Sequence, residues 1–152
     1  MVEIQLPAEV KELVEGSIFD LDDNVDDNRL SKFLFYAPEL VKIYGLSIAE
    51  LKRQKRNIEK SIRRGEDELD IITSRILLDL DLSAYKNEAL RNARMSTDPE
   101  VQVKRIAVRE LKEKLMDIDS DIDEMYEYYW NFKSLRESLS DISKARTAER
   151  RS

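Results

Sequence analysis

The sequence predicts an all-α protein: a long antiparallel helical hairpin with coiled-coil-like seams and a short N-terminal helix, built into an oligomer. Three observations predict it. Apolar residues recur at alternating three- and four-residue steps along two separate stretches. Glycine and proline together fill only six of 152 positions, and 38% of the residues are charged. Long solvated helices have this composition; a sheet protein with many turns does not. At this length one domain body is expected, preceded by an acidic arm over residues 1–28.

The arm comes first. VEIQL alternates apolar and polar residues, as a short strand or a loose end would. Pro7 suits a first helical turn, Val10, Leu13 and Val14 share a face, and Gly16 is placed to stop the helix. In FDLDDNVDDN, Asp20, Asp22, Asn24 and Asp26 fall at alternate positions, the spacing of a calcium loop. Val25 stands where such a loop needs glycine and Ser31 where it needs a bidentate glutamate. A solvated linker and helix cap is the better reading.

From Leu30 the pattern turns regular. Val41, Tyr44, Ile48, Leu51, Ile58, Ile62, Leu69, Ile72 and Ile76 form one seam, with Lys55 and Gly65 in its two missing positions. Pro38 lies ahead of most of it and is expected to kink or restart the helix, because it lacks a backbone donor and disfavours helical geometry at Ala37. Residues 80–98 then connect to a second seam of Val101, Val108, Leu111, Leu115, Ile118, Ile122, Met125, Tyr129, Phe132 and Leu139, interrupted by Lys104 and Arg136. Its start is marked by Pro99, with Asp98 or Thr97 as cap and Glu100 three residues after Thr97. Each helix is expected to run on the order of 60 Å.

One stripe per helix makes a thin core. YEYYWNF puts five aromatics in seven residues, spread around the helix rather than along one face. Burying more than one face calls for neighbours beyond the hairpin partner. Tyr126, Tyr128, Trp130, Phe132 and Leu135 are therefore candidate residues of a homo-oligomer interface. An aromatic platform for bases and packing by the N-terminal arm are the other readings.

Several chemistries are excluded. With no cysteine and no histidine there is no disulfide framework, no thiolate zinc site and no imidazole acid/base catalysis. Gly16, Gly45 and Gly65 are isolated, so no phosphate-cradling loop exists. Asp117 with Asp121, and Asp119 with Asp123, lie one turn apart and could hold a metal, but in a helix this charged they read as a solvated face. No catalytic residue, cofactor or metal is assigned, and a non-enzymatic protein is expected. The N-terminus has no basic region followed by an apolar run, and no stretch approaches the roughly 20 apolar residues of a membrane helix. A cytoplasmic protein without a membrane partner is expected.

Charge is unevenly spread. Residues 1–31 hold nine acids against Lys11 and Arg29, a balance of −7 within a total of −6, so the remainder is +1. The strongest positional feature is KRQKRNIEKSIRR, residues 52–64, with seven bases and one acid. Arg53, Arg56, Lys60 and Arg63 fall opposite the seam at steps of three, four and three, with Arg64 beside them. They form a stripe about 15 Å long, able to meet successive phosphates. The alternative is that these bases solvate the helix and pair with Glu59 or with acids of neighbouring subunits. A second basic group, Lys86, Arg91 and Arg94, sits in the connector YKNEALRNARMSTDPE. It reads either as a positive rim for a wrapped single strand or as an ordinary short connecting helix with Leu90 and Ala93 inward.

A basic helix, a short link holding Lys86 and Glu88, and a capped second helix (Asp98, Glu100) with a late Trp130 together resemble the phage recombination mediator family typified by UvsY, over roughly Leu30 to Ala148. The resemblance implies a helical protein that forms a ring-like homo-oligomer, binds single-stranded DNA and assists recombinase loading by displacing single-strand binding protein. It further implies a DNA contact near the end of the first helix, where SRILLDL supplies Arg75. The family's second base there is absent, since Thr73 and Ser74 flank the arginine. Residues 29–152 would then be the oligomerisation and DNA-binding domain. The acidic arm would compete with DNA for the basic rim, dock on a basic partner, or serve as a solubilising tail. The alternative function is a coiled-coil scaffold or assembly adaptor that binds only proteins.

Overall fold

The computed structural model describes residues 27–81 and 83–152; the expected N-terminal strand, the short helix after Pro7 and the aspartate run to Asp26 lie outside them. Three helices follow one another: α1 (Asp27–Asp79), α2 (Glu88–Thr97) and α3 (Pro99–Arg151). The long helices α1 and α3 pack against each other as an all-α helical hairpin, as the two seams predict. The chain divides into two compact units, one of residues up to Leu51 with Asp121–Ser152, the other Lys52–Ser120.

The first unit holds most of the apolar core. Leu30, Phe33, Ala37, Leu40, Tyr44, Ile48 and Leu51 are buried on α1, and Ile122, Met125, Phe132, Leu135 and Leu139 on α3. Tyr44 stacks on Phe132 at 5.2 Å and on Tyr128 at 5.8 Å between ring centroids. Deeply buried large side chains such as Phe33 and Phe132 contribute on the order of 1.5–3 kcal/mol each by burial. At one end, Asp27 accepts from Arg146 (2.8 Å) and from Arg150.

Among the described residues of the second unit the buried apolar set shrinks to Ile62, Ile72, Val101 and Val108. The gaps in the seams are filled differently here. Lys55 pairs with Asp119 at 2.6 Å and Lys104 with Glu68, so two seam positions that break the apolar pattern carry ion pairs between the helices. Gly65, the third, lets the helices close in: a Cβ there would lie 2.8 Å from Cγ2 of Val108. Glu66 with Lys112 (2.7 Å) and Arg75 with Glu100 (2.6 Å) add two more pairs, and their order confirms an antiparallel arrangement.

Two local expectations change, and the short connecting helix is found. Helix α1 does not restart at Pro38, which lies inside it with its ring exposed. The neighbouring Ala37 and Leu40 are both buried, and that packing offsets the roughly 3 kcal/mol that an interior proline costs. Along α3 the core passes through Leu135 rather than Arg136, which is exposed. A helix of 3.6 residues per turn drifts by about 20° per heptad against a 3.5 repeat, and this shift absorbs the drift. The connector is mostly helical: α2 is capped by Asn87, whose Oδ1 accepts from the Leu90 N–H at 2.8 Å. Asp98 caps α3, its Oδ1 accepting from the amides of Glu100 (3.0 Å) and Val101 (3.3 Å). The Thr97 hydroxyl donates back to the Arg94 carbonyl instead.

Candidate nucleic-acid interface

The cationic stripe belongs to the second unit. Arg53, Arg56, Lys60, Arg63 and Arg64 are all exposed along uninterrupted α1, while Ile62 is buried and Lys55 turns to Asp119. Seam and stripe thus occupy opposite sides of one helix. Among the described residues no ion pair engages Arg56, Lys60 or Arg63. The stripe also has an end that sequence reading missed. Continuing its steps of four and three from Arg63 reaches Asp67 and Asp70, both exposed, so the sign reverses on the same face after about 15 Å. The positions were legible in the heptad register once the stripe was extended past its last base.

The remaining basic candidates are held more closely. Arg75 is paired with Glu100 at 2.6 Å. In the connector, the half-buried Arg91 donates through Nε to the Tyr85 carbonyl at 3.1 Å, which ties α2 to the chain before it. Arg94 reaches Asp98 at 3.4 Å, the residue that caps α3. Lys86 is exposed. Helix α2 buries none of its residues, and Leu90 is exposed rather than packed inward. The structure therefore gathers five bases on one outward face and engages Arg75, Arg91 and Arg94 in structural contacts.

Electrostatic shifts follow these pairs. A hydrogen bond from Lys104, reinforced by its charge, holds the Glu68 carboxyl below the ordinary carboxylate range. The Ser83 hydroxyl and amide do the same for Asp81 in the connector. Among the described residues no group of three or more acids is placed to hold a metal ion.

The aromatic candidates in the first unit separate into two sets. Phe132 and Leu135 are core residues, 1% and 6% exposed. Tyr126 is half-buried, and Tyr128 is exposed at its edge while stacked on Tyr44. Trp130 is 53% exposed, edge-on to Tyr129, with Nζ of Lys133 4.9 Å from the ring centroid. Spacing around the helix decides this: residues two apart project about 200° from one another, so Trp130 and Phe132 cannot share a face. Other large apolar residues also meet solvent, Leu78 at 87% and Phe35 at 77%. No helix among the described residues is long and apolar enough to cross a membrane. Compared with protein-family models, curated proteins and solved structures, the chain shows no match.

Proposed function

We propose that this protein is a non-enzymatic recombination mediator of the phage UvsY-like kind, which binds single-stranded DNA and assists a recombinase by displacing single-strand binding protein. It acts in the cytoplasm as a ring-like homo-oligomer. The observation that carries the reading is the exposed stripe of Arg53, Arg56, Lys60 and Arg63, with Arg64 beside it. Four cations along about 15 Å can meet two or three successive phosphates and read no sequence, as a mediator that coats any single strand requires. Exposed Trp130 and Phe35 support assembly, since their apolar surface is left to water in one chain.

A second reading is favoured by a separate observation. Because Arg75, Arg91 and Arg94 are engaged within the chain, the connector supports a protein-only scaffold or adaptor equally well. Fluorescence anisotropy of labelled oligo-dT separates the two. Two or three phosphate contacts on a single strand give a slope of about −2 in log affinity against log salt, a weakening of roughly 10-fold between about 50 and 200 mM salt. The double charge reversal Arg56→Glu/Lys60→Glu should abolish most of that binding. Absence of binding by the unmodified protein at low salt would leave the adaptor reading standing.

A further inference from the structure

We infer that the acidic segment preceding α1, Asp20 to Asp26, docks on the basic end of α3, with Lys144 and Arg151 as its cationic contacts. The structure supplies the tether. Asp27, first residue of α1, is gripped by Arg146 at 2.8 Å and by Arg150, which fixes the start of α1 against the last turns of α3. Those turns carry four cations, Lys144, Arg146, Arg150 and Arg151, against Glu149 alone.

The receiving surface is also present. Two of the four cations serve Asp27. The other two, Lys144 and Arg151, are seven residues apart and flank an open groove floored by Ser143, Thr147 and Ala148. Among the described residues Lys144 pairs with its own helix neighbour Asp141, at 3.7 Å, with both side chains largely in water. No ion pair engages Arg151 among the described residues.

The occupant is argued from charge, length and attachment. Residues 1–26 hold eight acids against Lys11, and four of those acids, Asp20, Asp22, Asp23 and Asp26, lie within seven residues of the anchor. Seven extended residues reach at most about 25 Å, and Lys144 to Arg151 spans about 10 Å of helix. A tether this short sets an effective concentration on the order of millimolar. Exposed ion pairs worth little between separate molecules are then populated within one chain. Docking neutralises the basic end of α3 and makes it responsive to salt, whether or not the protein binds nucleic acid.

The chain has no cysteine, so introduced thiols can be labelled uniquely. Full-length protein carrying Asn24→Cys and Ser152→Cys is spin-labelled and diluted into unlabelled chains, so that only intrachain distances are read. The expected result is a short, narrow distance distribution at low salt that broadens and lengthens at about 1 M salt, where the screening length falls to about 3 Å. Lys144→Glu/Arg151→Glu should give the broad distribution at low salt too. Adding Asp22→Lys/Asp23→Lys to that variant should restore the narrow one. Both α3 positions are exposed, and far-UV circular dichroism of each variant verifies the fold. A distribution indifferent to salt and to the α3 reversal overturns the inference, as does a charge swap that restores nothing.

Discussion

Two glycines on one helix face opposite demands. At Gly65 a Cβ would meet Cγ2 of Val108 at 2.8 Å, whereas at Gly45 the nearest atom is Cε2 of Tyr129 at 4.0 Å, an ordinary contact. Val108 is buried and β-branched, so its methyl cannot swing aside without disturbing its rotamer. Replacing glycine by alanine in a helix interior contributes about 1 kcal/mol of intrinsic propensity, and overpacking costs about 1–3 kcal/mol. Gly45→Ala should therefore raise the urea midpoint, while Gly65→Ala should lower it. The double variant Gly65→Ala/Val108→Ala should recover part of that loss by giving the new methyl its space. A stabilising Gly65→Ala would mean that the helices separate there more easily than their packing indicates.

The ends and gaps of the helices are set by charge as much as by apolar burial, and this governs how they respond to acid. Arg146 first, and then Arg150, hold the Asp27 carboxyl below its ordinary value of 3.8, and Lys104 does likewise for Glu68. A carboxylate whose folded pKa is depressed stabilises fully above its unfolded pKa, and the contribution is lost as pH falls through the folded value. The loss thus belongs below about pH 4 and is absent at neutrality. Both groups are exposed to solvent, so the effect is small and screened by salt. Asp27→Asn should flatten the acid limb of a plot of thermal midpoint against pH, and added salt should flatten it in the unmodified protein. These pairs also mark how far the sequence could be read. The seams gave the hairpin and its direction, because 3.5-residue periodicity needs only local residue types. Lys55, Lys104 and Gly65 appeared as breaks, since their partners Asp119, Glu68 and Val108 lie far away in sequence. The stripe at 53–63 was legible for the same local reason. The engagement of Arg75 and Arg94 was not, because which acid a base meets depends on helix register.

For the molecule as a whole, the distribution of apolar surface separates what holds one chain together from what joins chains. Among the described residues the first unit buries twelve apolar side chains and the second four, yet Trp130, Phe35 and Leu78 remain in water. Phe132→Ala removes a side chain stacked on Tyr44 and should cost about 3–5 kcal/mol, as aromatic core truncations do. Trp130→Ser removes a half-exposed ring whose aromatic and cation contacts, among the described residues, are Tyr129 and Lys133 on its own helix, so helicity and the midpoint of a dilute chain should hardly change. If Trp130 lies between subunits, sedimentation velocity should show a smaller species for Trp130→Ser. The thermal midpoint of the unmodified protein should also rise with concentration, as binding between folded chains requires, and that rise should vanish in the variant. A chain that sediments as a monomer at every concentration would remove the oligomer from the proposal. The stripe would then contact a strand only through its own four or five cations. About 15 Å of contact is too short to wrap DNA, so the mediator reading depends on this association as much as on the charges themselves.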